Sequence, residues 1–227
     1  MTSDQSGSAQ ESTSDGGDEG DGTDAAPRGG KARAVIREVL RLATLVVVLA
    51  MARSSLADHY QVPTGSMIPT VAIGDHVVVN KLAYALRIPF TDHRLVSFAG
   101  PKRGDVVVLD SPEDTSTLLK RVVAVPGDLV EVHSGVISIN GKPFPVESHR
   151  GALTELIGSK LHALRLTHGG GMDYGPAALG RDEYLVMGDN RGESHDGRAF
   201  GLVKRESIFG RAVGVWLREG RPCWHSL

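Results

Sequence analysis

The period of the apolar residues divides the chain into three parts. Residues 1–30 have no apolar period. They are rich in Ser, Gly, Thr and Asp, with seven acids (Asp4, Glu11, Asp15, Asp18, Glu19, Asp21, Asp24) against one base, Arg28. Such a stretch cannot bury enough apolar surface to offset the cost of ordering, so a disordered acidic tail is predicted. Lys31, Arg33, Arg37 and Arg41 then lead into Leu42–Ala52, an uncharged run that is apolar all round and ends at Arg53. A bilayer core asks for about 20 residues. Val39 to Ala57 supplies 19 if Arg41 and Arg53 carry their heads to opposite interfaces along their aliphatic stems. The pattern predicts one transmembrane helix within residues 31–57. A buried helix of a soluble domain would show a polar stripe, and this run has none. Ala50-Met-Ala52 also fits a signal-peptide cleavage site, but about 40 residues precede the core. With the basic cluster on its N-terminal side, the helix would leave the N-terminus cytoplasmic and the rest of the chain outside, in the cell membrane as a single-pass protein.

Beyond residue 57 the apolar runs become short, β-branched and bounded by turn residues: His76–Val79, Asp105–Leu109, Leu118–Val125, Leu129–Val132, Val136–Ile139, Glu183–Met187 and Ala212–Leu217. Asn140-Gly141 marks a hairpin, and Pro126-Gly-Asp128 a turn between two strands. The reading is a mainly β domain over residues 58–227, antiparallel, as a sandwich or partly closed barrel. Residues 148–182, with Gly169-Gly-Gly171, break the pattern and read as an insertion or loop excursion carrying a short helix over Leu153–Leu166.

Composition changes this picture in three ways. A chain of 227 residues with 41% apolar content can bury one sizeable core or two small ones. The net charge of -2 hides an asymmetry: without the tail, 20 acids face 24 bases, about +4. One cysteine, Cys223, excludes an intramolecular disulfide framework and a zinc site built on several thiolates. Aromatic content of 5% argues against a binder of single-stranded nucleic acid, which needs stacking platforms.

Polar chemistry concentrates in three stretches. In Val62–Thr70, Ser66 follows a glycine and lies between Pro63 and Pro69, which restrict its backbone; most serines in such loops are turn residues. In Leu118–Asp128, strand alternation puts Lys120 on a face with Leu118, Val122 and Ala124, where an ammonium is poorly solvated. To act as a base near neutrality its pKa must fall by about 3 units, at roughly 4 kcal/mol. By composition alone Lys81 and Lys102 are equally eligible. The third stretch, Met187–Gly201, carries Asp189, Asn190, Glu193 and Asp196. Their spacing departs from a calcium loop, and Arg191 and Arg198 would set positive charge beside an ion, so hydrogen-bonded struts are expected and no metal.

Together these stretches resemble the bacterial type I signal peptidases, membrane-anchored serine/lysine endopeptidases. The resemblance runs from the anchor to about Leu217: Ser-Met-x-Pro-Thr at Ser66–Thr70, Gly-Asp at Gly74, Arg-Gly-Asp at Arg103, Lys-Arg-Val-Val-Ala-x-Pro-Gly-Asp at Lys120–Asp128, Asn-Gly at Asn140, and Gly-Asp-Asn-Arg with Ser-x-Asp-x-Arg over Gly188–Arg198. It implies Ser66 as nucleophile, Lys120 as general base, and an oxyanion hole made by the Thr64 hydroxyl and the Ser66 N–H. It also implies that Ser194 holds the Lys120 ammonium and that Arg121, Asp189, Asp196 and Arg198 form ion pairs beneath the site, with His195 a bystander. No cofactor is implied. The implied partners are exported preproteins cut after small-x-small sites, membrane lipid and the secretion translocon, with no nucleic acid. Gly197 stands where serine is commoner, Gly192 and Glu193 vary the loop, and Ser54–Tyr60 is more polar than usual. Three other readings compete: a maturation peptidase of narrow range, an anchored β domain that binds exported chains without cutting them, and a soluble self-cleaving repressor, against which the anchor speaks.

Overall fold

The structure is a computed structural model that describes residues 29–87, 94–149 and 151–227, so residues 1–28 of the expected acidic tail lie outside it. A helix, α1, runs over Gly29–Leu56. Val35, Ile36, Val39, Leu40, Leu42, Leu45, Val46 and Val47 are all exposed on it. Among the described residues no helix is long and apolar enough to cross a membrane. The side chains of residues 48–56, which hold the second half of the expected span, are not among those described.

The remainder is mainly β, as its pattern predicts. Among the described residues seventeen strands follow in order: β1 Ala57–Gln61, β2 His76–Asn80, β3 Ala85–Arg87, β4 Arg94–Ser97, β5 Val106–Asp110, β6 Thr117–Ala124, β7 Leu129–His133, β8 Val136–Ile139, β9 Lys142–Pro143, β10 Val146–His149, β11 Ala152–Ile157, β12 Lys160–Leu164, β13 Tyr174–Ala178, β14 Glu183–Met187, β15 Val203–Lys204, β16 Ile208–Arg218 and β17 Arg221–Ser226. All seven apolar runs fall on strands. The main sheet has the order β1-β2-β16-β5-β6-β14-β15, with β17 added to β16, and its paired strands are antiparallel. A second sheet, β13-β7-β8-β9, contains the Asn140-Gly141 hairpin, where both residues take positive φ (52° and 77°), as a two-residue turn of this type requires.

The run Val106–Leu109 is continuously apolar because both faces of β5 are covered. Val106 and Val108 pack with Val62, Met67, Val71 and Val77, while Val107 and Leu109 pack with Tyr84, Val122, Val186 and Ile208. A third cluster joins β6, β7, β8 and β14 through Val123, Val130, Ile137 and Leu185. Met67 and Val71 are fully buried. The loop between β1 and β2 that carries Ser66 is therefore anchored by its own side chains in the core of the sheet.

The expected helix over Leu153–Leu166 is corrected to a hairpin, β11 paired with β12. Ile157 and Leu164 are buried while Leu156 and Leu161 are exposed, an alternation with a period of two. Gly158, at a φ of 63°, turns the chain between the strands.

Candidate active site

Ser66 leaves the core beside Met67, and Lys120 comes from β6, where it lies opposite Val107 of β5. The Lys120 Nζ donates to the Ser66 Oγ at 2.8 Å. Both residues are buried, Lys120 at 4% exposure. Loss of solvent drives the Lys120 pKa down from an ordinary 10.5 to about 8, although Asp196 and Asp189 pull the other way. Most of the shift that the sequence reading demanded is thus supplied by burial. Of the other lysines considered, Lys81 pairs with Asp58 at 2.9 Å and Lys102 is exposed. A serine hydroxyl within hydrogen-bond reach of an amine that is partly neutral near pH 8 can give up its proton and attack a carbonyl.

Two buried ion pairs stand where the four supporting residues were expected. Arg121 donates through Nε and Nη2 to the two carboxylate oxygens of Asp189, at 2.8 and 2.7 Å, and through Nη1 to the Gly104 carbonyl. Asp189 is buried, and Arg121, His162 and the Thr70 hydroxyl hold its carboxyl below the usual range against the cost of burial. Arg198 pairs with Asp196 at 2.9 Å and also donates to the carbonyls of Gly170, Met172 and Arg191. Asp196 caps the single helical turn α2, Gly197–Phe200, and accepts the Gly188 N–H. A Cβ at Gly197 would come within 2.7 Å of Leu185 and 2.9 Å of the Val186 carbonyl, so the packing here leaves little room for a side chain.

Two expectations fare differently. The Ser194 hydroxyl is buried and has no hydrogen-bond partner among the described residues; it crowds Gly188, whose missing Cβ would meet it at 2.3 Å and the Ser66 carbonyl at 2.4 Å. Thr64 is exposed, two residues before Ser66. His195 lies at the surface and meets Glu113 at 2.6 Å.

Asn190, named in the sequence among the struts but given no role at the site, braces the serine loop. Its backbone N–H donates to the Ser66 carbonyl at 3.0 Å, and its side chain donates to the Gly65 carbonyl at 3.2 Å and Glu193, while accepting from Thr167. The peptide groups on either side of the serine are thereby fixed by one residue of the third polar stretch. That stretch was legible as a set of struts, but which residue braces which loop was not.

A buried serine within hydrogen-bond reach of a buried lysine is an arrangement suited to a serine-type hydrolase. The family described as "Signal peptidase, peptidase S26" matches residues 35–217. Signal peptidase I of Pseudomonas fluorescens is 35% identical over 201 residues, covering 78% of this chain and 70% of that protein. Signal peptidase I of Leptolyngbya laminosa is 30% identical over 192 residues, covering 81% and 80%. A crystal structure of a signal peptidase I from Enterococcus faecalis V583 matches at 25% identity and a TM-score of 0.36, over 51% of this chain and 98% of that one. The chain belongs to the signal peptidase family, peptidase S26. It is a serine peptidase of the family that cleaves signal peptides from exported preproteins.

Proposed function

We propose that the protein is a membrane-anchored endopeptidase that removes N-terminal signal peptides after small-x-small sites through a Ser66/Lys120 dyad. The observation that carries this reading is the buried 2.8 Å contact between Lys120 and Ser66, with the lysine lowered to about 8. Neutral Lys120 takes the Ser66 proton as Oγ bonds to the scissile carbonyl carbon. The Ser66 N–H and the Thr64 hydroxyl stabilise the oxyanion. The C–N bond breaks, Lys120 returns the proton to the leaving amine, and an acyl-enzyme remains. Lys120 then deprotonates a water that releases the signal peptide and restores the serine.

The open edge of β6 supports an extended substrate. Residues Thr117–Lys120 pair with β5, whereas β14 reaches β6 only from Arg121 to Ala124. Among the described residues the second edge of Thr117–Lys120 has no strand on it. A peptide added there would place alternate side chains toward the protein, which suits selection at two positions separated by one.

Anchoring is supported by the apolar run that closes α1, by the exposed apolar residues on the helix, and by Lys31, Arg33, Arg37 and Arg41 before it. On this reading residues 1–30 are cytoplasmic, residues 31–57 are the basic flank and membrane helix, and the catalytic domain, residues 58–227, lies outside. Membrane lipid and the secretion translocon then surround the enzyme at work.

Ser66→Ala in the full chain, reconstituted with a preprotein carrying an Ala-x-Ala site, is expected to leave no cleavage above background while melting as the wild type does. Undiminished cleavage would reject the dyad.

A further inference from the structure

The excursion between β10 and β13 is more than an appendage to the β domain. Glu155 of β11 and His162 of β12 are directly opposite in register on the inward face of that hairpin. Glu155 is fully buried and His162 is 7% exposed, on a face that also carries Leu153, Ile157, Leu164 and the half-buried Lys160. A charge in such a place needs partners. Glu155 accepts from both terminal nitrogens of Arg191, itself 1% exposed, and Arg191 also donates to the Gly135 carbonyl. The His162 Nε2 lies 3.4 Å from Glu155 and 3.8 Å from Asp189, packed between the two carboxylates without a hydrogen bond to either.

Both arms lead to the catalytic loop. Arg191 follows Asn190, which grips the Gly65 and Ser66 carbonyls. Asp189 holds Arg121, the neighbour of Lys120, and accepts from the Thr70 hydroxyl four residues after Ser66. The backbone repeats the connection: the Arg165 N–H donates to the Asp189 carbonyl and the Arg191 N–H to the Arg165 carbonyl.

We infer that Glu155 and His162 are positioning residues for the Ser66/Lys120 pair, acting from the hairpin through Arg191–Asn190 on one side and Asp189–Thr70 on the other. This rests on the dyad reading. Peptide-bond attack depends on sub-ångström placement of the hydroxyl, so loosening the brace lowers turnover more than substrate binding.

The test is steady-state cleavage by the full chain in detergent, with Glu155→Gln, His162→Gln, Asn190→Ala and the Glu155→Gln/Asn190→Ala pair, each rate referred to the folded fraction measured by melting. Glu155→Gln is expected to lower kcat tenfold or more with KM within twofold. His162→Gln is expected to lower kcat less, and the double variant to lose little beyond Asn190→Ala because both act on one loop. Should Glu155→Gln fail to fold, His162→Gln decides alone. A kcat within twofold of wild type in the folded variants, or full additivity in the pair, rejects the brace and leaves the dyad standing if Ser66→Ala is inactive. An active Ser66→Ala removes both.

Discussion

Replacing Lys120 with methionine separates what the lysine does for catalysis from what it costs the fold. Methionine is unbranched and apolar, and it fills a similar volume on the same buried face. The folded lysine titrates at about 8 because burial disfavours the ammonium, against an ordinary 10.5 in the unfolded chain. Between those two values the unfolded state holds a proton that the folded state has released. Stability of the wild type therefore rises with pH across this window, and below pH 8 the full cost is present. At about 1.4 kcal/mol per unit, that cost is about 3 kcal/mol at pH 7, falling to about 1 kcal/mol at pH 9.5. Lys120→Met is expected to abolish cleavage and yet melt higher than the wild type at pH 7, by about 6–12 °C for a domain of this size. The advantage should shrink by roughly two thirds at pH 9.5. If the same lysine is the base, its neutral fraction should make the wild-type kcat/KM climb about fivefold from pH 7 to pH 8. Thermal denaturation of both full-length proteins in one detergent at the two pH values reads the stability difference. The same difference at pH 7 and pH 9.5 would mean that Lys120 is not desolvated, and the proposed origin of its basicity would fail.

Two further expectations concern the loops around the dyad. Thr64→Val keeps the shape of the side chain but removes the hydroxyl, and should reduce kcat by roughly 10²-fold or more with little change in melting temperature, the usual effect of losing one oxyanion donor; an unchanged kcat would assign the second donor elsewhere. Gly188→Ala forces a methyl group against the Ser194 hydroxyl and the Ser66 carbonyl at 2.3 and 2.4 Å, so it should destabilise the protein by about 1–3 kcal/mol and lower kcat together, read by melting and by cleavage. A fully active, fully stable Gly188→Ala would show that the two loops are not in contact as described.

The sequence by itself determined much about this protein. Short β-branched runs and turn residues specify strands through local sterics, and all seven predicted runs are strands. The motifs around Ser66, Lys120 and Gly188–Arg198 carried the family, because their residue types and order are local facts of the chain. It also determined the apolar run before Arg53, which supports an anchor. Three things were decided only by tertiary structure. The mixed polar and apolar residues of 153–166 allowed a helix or a hairpin, and the burial of Ile157 and Leu164 against the core selected strands with Glu155 and His162 turned inward. Three lysines were equal by composition and the motif singled out Lys120, but its contact with Ser66 at 2.8 Å and its removal from water come from the crossing of β6 beside the Ser66 loop. The third polar stretch was recognisable as struts, but its division of labour was not. Asn190 holds the serine loop and Asp189 the arginine beside the lysine, because hydrogen-bond partners 125 and 68 residues apart in sequence are set by the packing of the sheet and not by spacing along the chain; Asp196 caps the turn that follows it.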